Sequence, residues 1–200
     1  MTVKTGHNVR SIPSDKVSLR YRKIMAKKLK LEDLGRVDRE TFKQITKIPV
    51  TVVLDNVRSM HNVGAVFRTS DAFIVDRIIL CGITPVPPHR EIHKAALGAT
   101  ETVDWIFVKD ISEALQNLKN EGSTIVGLEQ TTASVNIEEF EVQHDRKYSL
   151  VFGNEVDGLS EEALPFYDCF LEIPQLGTKH SLNVSVCAGI AIWHFFKDLK

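Results

Sequence analysis

Three stretches of this chain put polar side chains where buried strands stop. Leu150-Val151-Phe152 is a short apolar run closed by Gly153, and Asn154 and Glu155 follow it. Cys169 to Ile173 is a second such run, closed by Pro174; beyond Gly177 come Lys179, His180, Ser181, Leu182 and Asn183. The run Val50–Asp55 leads into Asn56, Arg58 and Asn62, with Arg68 further on. Apolar runs between turn signals suit strands buried on both faces, and open parallel sheets collect ligands at the carboxyl ends of such strands. By themselves the first two stretches are equally two ordinary strand-to-helix turns, with Ser181 or Asn183 serving only as a helix cap.

Arg68 stands in sequence among Ala65, Val66, Phe67, Ala72 and Phe73. A guanidinium in that company must find carboxylate, phosphate or carbonyl partners. A structural pairing with Glu155 or Asp71 and a contact to phosphate or ribose are both open. Asn62 is placed to cap a helix whose first turn holds Gly64, where a neighbour can approach closely. His89 and His93 have an i, i+4 spacing found at zinc sites, but no Glu directly follows the first His and no third ligand is evident, so no metal is expected. His180 beside Ser181 lacks the nucleophile elbow of a serine hydrolase. Trp105 and Trp193 read as core residues.

The elements that would position these groups alternate. Strands are expected at Val50–Asp55, Arg77–Cys81, Asp104–Val108, Thr124–Leu128, Ser149–Phe152 and Cys169–Ile173. Helices are expected near Val63–Phe73, Glu91–Gly98, Ile111–Asn120, Glu161–Leu164 (capped by Ser160) and Leu182–Lys197, the last buried because it is apolar nearly all round. This is the pattern of an α/β fold, a parallel sheet with helices on both faces. Ahead of it, Ser14 can cap a helix running to about Lys30, and Asp38 a second one holding Phe42 and Ile45 and ending before Pro49. The division expected is a basic N-terminal helical extension, residues 1–47, and a main domain, residues 48–200.

Two hundred residues suffice for one sizeable core. No signal-peptide pattern is read, and the run Val184 to Phe196 falls short of the roughly 20 residues that span a bilayer. Cys81, Cys169 and Cys187 lie in apolar contexts without metal-type spacing, which reads as buried free thiols in a reducing, cytoplasmic compartment. The net charge of −1 hides an asymmetry: residues 1–30 carry nine Lys or Arg against Asp15, +8, while the remainder carries 16 basic and 25 acidic residues, −9. A basic arm on an acidic body is a handle for a polyanion or a solvated helix face.

Three segments together resemble a known family. Asn56–Ala72 (NVRSMHNVGAVFRTSDA), Leu150–Ser160 (LVFGNEVDGLS) and Ile173–Ser185 (IPQLGTKHSLNVS) are similar to the three ordered motifs of the SpoU/TrmH-type RNA 2′-O-ribose methyltransferases, and Ala95-Ala96-Leu97-Gly98-Ala99 also fits. The resemblance covers about residues 48–199.

The resemblance implies an α/β-knot, in which the C-terminal segment threads a loop to form a trefoil knot, and a homodimer with the site near the subunit interface. It implies S-adenosyl-L-methionine as cofactor and RNA as substrate, with no metal and no membrane partner. Gly153, Ile173 and Leu182 match positions that grip the cofactor, with Leu128 and Asn154 beside them. Asn62, Arg68, Glu155, Ser181 and Asn183 match the polar catalytic set. In the family the residue matching Arg68 is proposed to activate the ribose hydroxyl; since a guanidinium hardly deprotonates, binding the adjacent phosphate and passing the proton through Ser181 or water is the alternative. RNA contacts are expected from Arg58, His89, Arg90 and Lys94 around the site mouth and from Arg20, Arg22, Lys23, Lys27 and Lys28 on the arm. The basic helices, without room for a separate N-terminal substrate domain, lean the expectation toward tRNA over rRNA. The rival from another class is an RNA-binding assembly factor with the same fold and no transfer activity.

Overall fold

Strand formers in short runs, each closed by a turn residue, dictate the architecture of this computed structural model. It describes residues 28–30, 35, 37–178 and 181–200. The chain divides into two units, Met1–Arg36 and Val37–Lys200; the expected arm helix and its Arg20, Arg22, Lys23 and Lys27 lie outside the described residues. Lys28–Lys30 are exposed and carry no helix, so a helix reaching Lys30 is not found.

The second unit opens with α1 (Arg39–Gln44), whose cap is Asp38 as expected: its carboxylate accepts the Thr41 N–H at 2.8 Å. That bond holds the Asp38 carboxyl below its ordinary pKa. Then come β1 (Ile48–Asp55), α2 (Met60–Ala72), β2 (Val75–Cys81), α3 (Arg90–Ala96), β3 (Asp104–Val108), α4 (Ile111–Asn120), β4 (Ser123–Leu128), β5 (Ser134–Asn136), β6 (Lys147–Phe152), β7 (Cys169–Glu172) and α5 (Val184–Leu199). The strands form one seven-stranded sheet in the order β3-β2-β1-β6-β4-β7-β5, and every pairing is parallel.

The period of two along each strand sorts side chains to two cores. Val52, Leu54, Ile78, Leu80, Leu150 and Phe152 pack with residues of α2, α3 and α5 on one face. Val53, Ile79, Cys81, Ile125 and Val151 pack with Ile111, Leu115 and Leu118 of α4 on the other. Gly64 lets α3 sit directly on α2, since a Cβ there would stand 2.7 Å from the Cβ of Ala95. No helix is long and apolar enough to cross a membrane among the described residues.

Four expectations change. The cap of α2 is Ser59, whose hydroxyl accepts the Asn62 N–H at 3.2 Å, and not Asn62. The segment expected as a helix at Glu161–Leu164 is a 3-10 turn, Glu161–Phe166, with no side-chain cap from Ser160. β5 adds a strand where the sequence pattern shows none. α5 is not buried all round: Val186, Ile190 and Trp193 are 38% to 50% exposed, so Trp193 is not a core residue. Trp105 is half-buried and meets Phe67 edge-on at 6.5 Å.

Candidate active site

The carboxyl ends of β4, β6 and β7 surround a cavity of about 360 Å³. Leu128 closes β4, Phe152 closes β6 and Leu171 and Glu172 close β7, so the floor is made by three neighbouring strands. Gly153, Asn154, Glu155, Val156 and Gly158 form one wall; Ile173, Gln175, Ser181, Leu182, Asn183, Val184 and Cys187 form the other. Its volume lies within the roughly 300–1,000 Å³ usual for small-molecule sites, and its lining mixes apolar residues such as Leu128, Ile173 and Leu182 with polar ones such as Asn154, Glu155 and Asn183.

The first wall is a tight loop. Asn154 and Gly158 exchange backbone bonds of 3.1 and 3.2 Å, and Asn154 Oδ1 accepts the N–H groups of Val156 and Asp157, both at 2.8 Å. A Cβ on Gly153 would overlap the carbonyl of Gly158 and the nitrogen of Leu159. Glycine is therefore required by the loop's return onto itself.

Asn62 links both walls from the first turn of α2. It is buried, its Nδ2 donates to Glu155 Oε1 at 2.7 Å, and its Oδ1 accepts from Asn183 Nδ2 at 3.2 Å. Asn183 also caps α5, accepting from the Ser185 N–H at 2.9 Å and its hydroxyl at 2.6 Å. The side-chain amide of Asn62 thus donates to a carboxylate and accepts from a second amide at once, using its N–H and its carbonyl oxygen separately.

Eight of the ten catalytic or cofactor residues expected from sequence line this cavity: Leu128, Gly153, Asn154, Glu155, Ile173, Ser181, Leu182 and Asn183. Asn62 joins them through its bonds. Arg68 does not. It is exposed rather than embedded, and among the described residues neither Glu155 nor Asp71 pairs with it: Glu155 takes Asn62, and Asp71 accepts from Thr102. Arg58 lies 4.0 Å from Asp157, beside the first wall. His89, Arg90 and Lys94 are exposed around the start of α3, where His89 Nδ1 caps the helix by accepting the Glu91 N–H at 3.2 Å. No group of three or more His, Cys, Asp or Glu that could hold a metal is found among the described residues.

Glu129, Gln130, Gln175 and Cys187 also line the cavity, and sequence reasoning missed all four as site residues. Glu129 carries a signal like that of Glu155, a carboxylate within three positions of a strand's end, and Cys187 lies one helical turn beyond Asn183. Burial pushes the Cys187 thiol up to about 11, and Cys81 up to about 12, so both stay protonated near neutral pH.

Residues 49–193 match the sequence profile of the SpoU rRNA Methylase family. The chain belongs to that family. This SpoU family chain is 34% identical over 154 residues to a 23S rRNA (guanosine-2'-O-)-methyltransferase, RlmB, of Nitrosomonas europaea, covering 77% of this chain and 58% of that relative. It is 31% identical over 153 residues to the RlmB of Neisseria meningitidis serogroup B, covering 76% and 60%. It therefore spans about three fifths of the length of these curated relatives. Among solved structures, an AdoMet-bound rRNA methyltransferase from Sinorhizobium meliloti superposes with a TM-score of 0.71 at 26% identity, covering 80% of this chain and 60% of that one. A TrmH/SpoU tRNA modifying enzyme of A. aeolicus superposes with a TM-score of 0.70 at 31% identity, covering 80% and 79%.

Proposed function

We propose that this SpoU family member transfers a methyl group from S-adenosyl-L-methionine to a ribose 2′-hydroxyl of RNA. The observation that carries the reading is the Glu155–Asn62–Asn183 network binding both walls of a strand-end cavity. The donor set fits the cofactor: Leu128, Ile173 and Leu182 offer apolar surface and carbonyls to a nucleoside, and the backbone from Gly153 to Glu155 offers polar groups to its other end. When bound, the cofactor supplies a methyl on a sulfonium, and the work left to the protein is alignment and removal of one proton.

The Arg68 guanidinium offers donors and no acceptor. It acts by attracting the substrate phosphate and the developing alkoxide, while the 2′-hydroxyl proton passes to Ser181 Oγ and on to water. Its exposure on α2, away from its own cavity, fits a site completed by a second copy. α2 packs against α5, where Phe73 meets Trp193 at 5.4 Å between ring centroids, and the exposed stripe Val186, Ile190 and Trp193 lies on that helix. Joining two copies through this surface in a two-fold homodimer covers the stripe and brings Arg68 to the partner's cavity. The knot of the resemblance belongs to the same proposal, supported by the return of α5 to pack on β1 and β6 after the loop that follows β7.

The lean toward tRNA finds no support among the curated relatives, whose names favour rRNA. We therefore take ribosomal RNA as the substrate, with Arg58, His89, Arg90 and Lys94 as phosphate contacts and residues 1–47 as a basic extension ahead of the catalytic domain. The test is transfer of labelled methyl from S-adenosylmethionine to purified rRNA and to purified tRNA, with the product mapped as a bond resistant to alkali. Label on rRNA is expected. Label on tRNA alone overturns the substrate, and cofactor binding without transfer to either favours the assembly-factor alternative. Arg68→Ala should lower transfer at least about 100-fold, the scale of losing one transition-state interaction, and leave cofactor affinity unchanged.

A further inference from the structure

The loop that forms the first wall is held from the two strands that flank β6. β6 lies between β1 and β4, and each neighbour ends in a carboxylate that accepts a backbone N–H where the loop returns. Asp55, the last residue of β1, accepts the Ser160 N–H on Oδ2 at 2.9 Å. Glu129, just beyond β4, accepts the Leu159 N–H on Oε2 at 3.3 Å. Glu129 lines the cavity and can touch whatever fills it. Asp55 does not: it is fully buried, set against a separate cavity of about 410 Å³ beside the start of α4.

The surroundings of Asp55 are built for this hold. Its Oδ1 accepts from Asn56 Nδ2 at 2.9 Å, and the same Nδ2 reaches Ser160 Oγ at 3.2 Å. Asn56 stands at φ 55, and its Oδ1 accepts the Ile83 N–H at 3.0 Å, which fixes the amide's orientation. Thus β1, the turn after β2 and the return of the loop after β6 meet in one hydrogen-bonded cluster of side chains. Carboxylate bonds to N–H groups are stronger than neutral ones, and here burial withholds water as a substitute.

We propose that Asp55 is a positioning residue for the cofactor site, holding loop 153–160 in its binding shape through the Ser160 N–H. This rests on the reading of the cavity as the S-adenosylmethionine site. Burial pushes the Asp55 carboxyl above its ordinary pKa, opposed by the Ser160 and Asn56 bonds and reinforced by the Glu162 carboxylate. The other groups facing it are Lys109 and Asp110 at the start of α4, the Cys81 thiol on β2 and the Tyr167 phenol after the 3-10 turn, the last two pushed up by burial and by Asp55 itself. The Ser160 bond by itself lowers that pKa, so the hold is linked to the ionised form and weakens as pH falls and the carboxyl is protonated.

The test is calorimetric titration with S-adenosylhomocysteine, on the full chain, from pH 8 to pH 5. Asp55→Asn offers one acceptor oxygen and turns an N–H donor toward Ser160 or Asn56, so affinity should fall roughly tenfold at pH 8, the size of one charge-assisted bond. Ser160→Ala keeps the N–H and should bind within about twofold of wild type. Ser160→Pro removes the N–H at a φ of −61°, which the proline ring adopts; it should match Asp55→Asn, and the double variant should lose no more than either single one. Wild-type affinity should also weaken toward pH 5 more steeply than that of Asp55→Asn. The proposal is overturned if both Asp55→Asn and Ser160→Pro bind like wild type with its pH profile, or if the double variant shows the product of the two losses. Failure of wild type itself to bind overturns instead the reading of the cavity.

Discussion

Asn62→Asp is the sharpest probe of the network joining the cavity walls. The substitution keeps the shape of the side chain and its acceptor toward Asn183, but it replaces the Nδ2 donor with an oxygen 2.7 Å from Glu155 Oε1. Two unit charges at that distance repel by about 6 kcal/mol at an effective dielectric of roughly 20, and by about 1.5 kcal/mol in bulk water. Glu155 is exposed, so the lower end applies, and about 2 kcal/mol of lost stability is expected at pH 8. The pair relieves the repulsion by taking up a proton, which raises the pKa of one carboxyl; the penalty is therefore present above that pKa and disappears as pH falls toward 5. For a chain of 200 residues 2 kcal/mol corresponds to a Tm lowered by roughly 4–8 °C. Thermal unfolding of wild type, Asn62→Asp and Asn62→Ala at pH 5 and pH 8 reads the effect. Asn62→Ala loses both bonds without gaining a charge, so its deficit should not change with pH. Equal deficits for the two variants at both pH values would refute the reasoning.

Gly153→Ala should break the return of the first wall and abolish S-adenosylhomocysteine binding, checked by calorimetry on protein whose far-UV dichroism is unchanged. Trp193→Glu places a charge in the exposed stripe of α5 and should convert a dimer to monomers in light scattering at micromolar concentration; an unchanged mass argues that this stripe is not the interface. Deleting residues 1–30 removes a charge of +8 and should lower the slope of log RNA affinity against log salt by several units, about 0.7 to 0.9 for each phosphate no longer neutralised. An unchanged slope assigns RNA capture to Arg58, His89, Arg90 and Lys94.

The strand ends are legible in the sequence because their signals are local: apolar runs such as Leu150–Phe152 and the turn residues after them announce themselves within a few positions. Eight cavity residues follow from that pattern and from the resemblance. The role of Asn62 is not legible. Ser59 and Asn62 are both good caps, and what frees Asn62 from capping is a pair of partners 93 and 121 residues away. Arg68 misleads because its neighbours in sequence are not its neighbours in space. Six positions on a helix turn through about 600°, which leaves Arg68 about 120° around from Asn62. β5 escapes a sequence reading because Ser134–Asn136 has only one strand-forming residue, Val135, and is a strand by virtue of its pairing with β7.

The bonds that Asn62 makes also say when the cavity comes into being. Its two walls are tied together only after the first turn of α2, the segment after β6 and the start of α5 have met, and the last of these begins at Val184 of 200 residues. Contacts of such long sequence separation form late, after the local helices and the first strand pairs. During synthesis β1 to β4 can assemble while later segments are still being made, but nothing can hold the walls together until α5 has been released and docked. Cofactor capture therefore waits on α5, and a chain that stops before Asn183 would keep most of its sheet without acquiring the site.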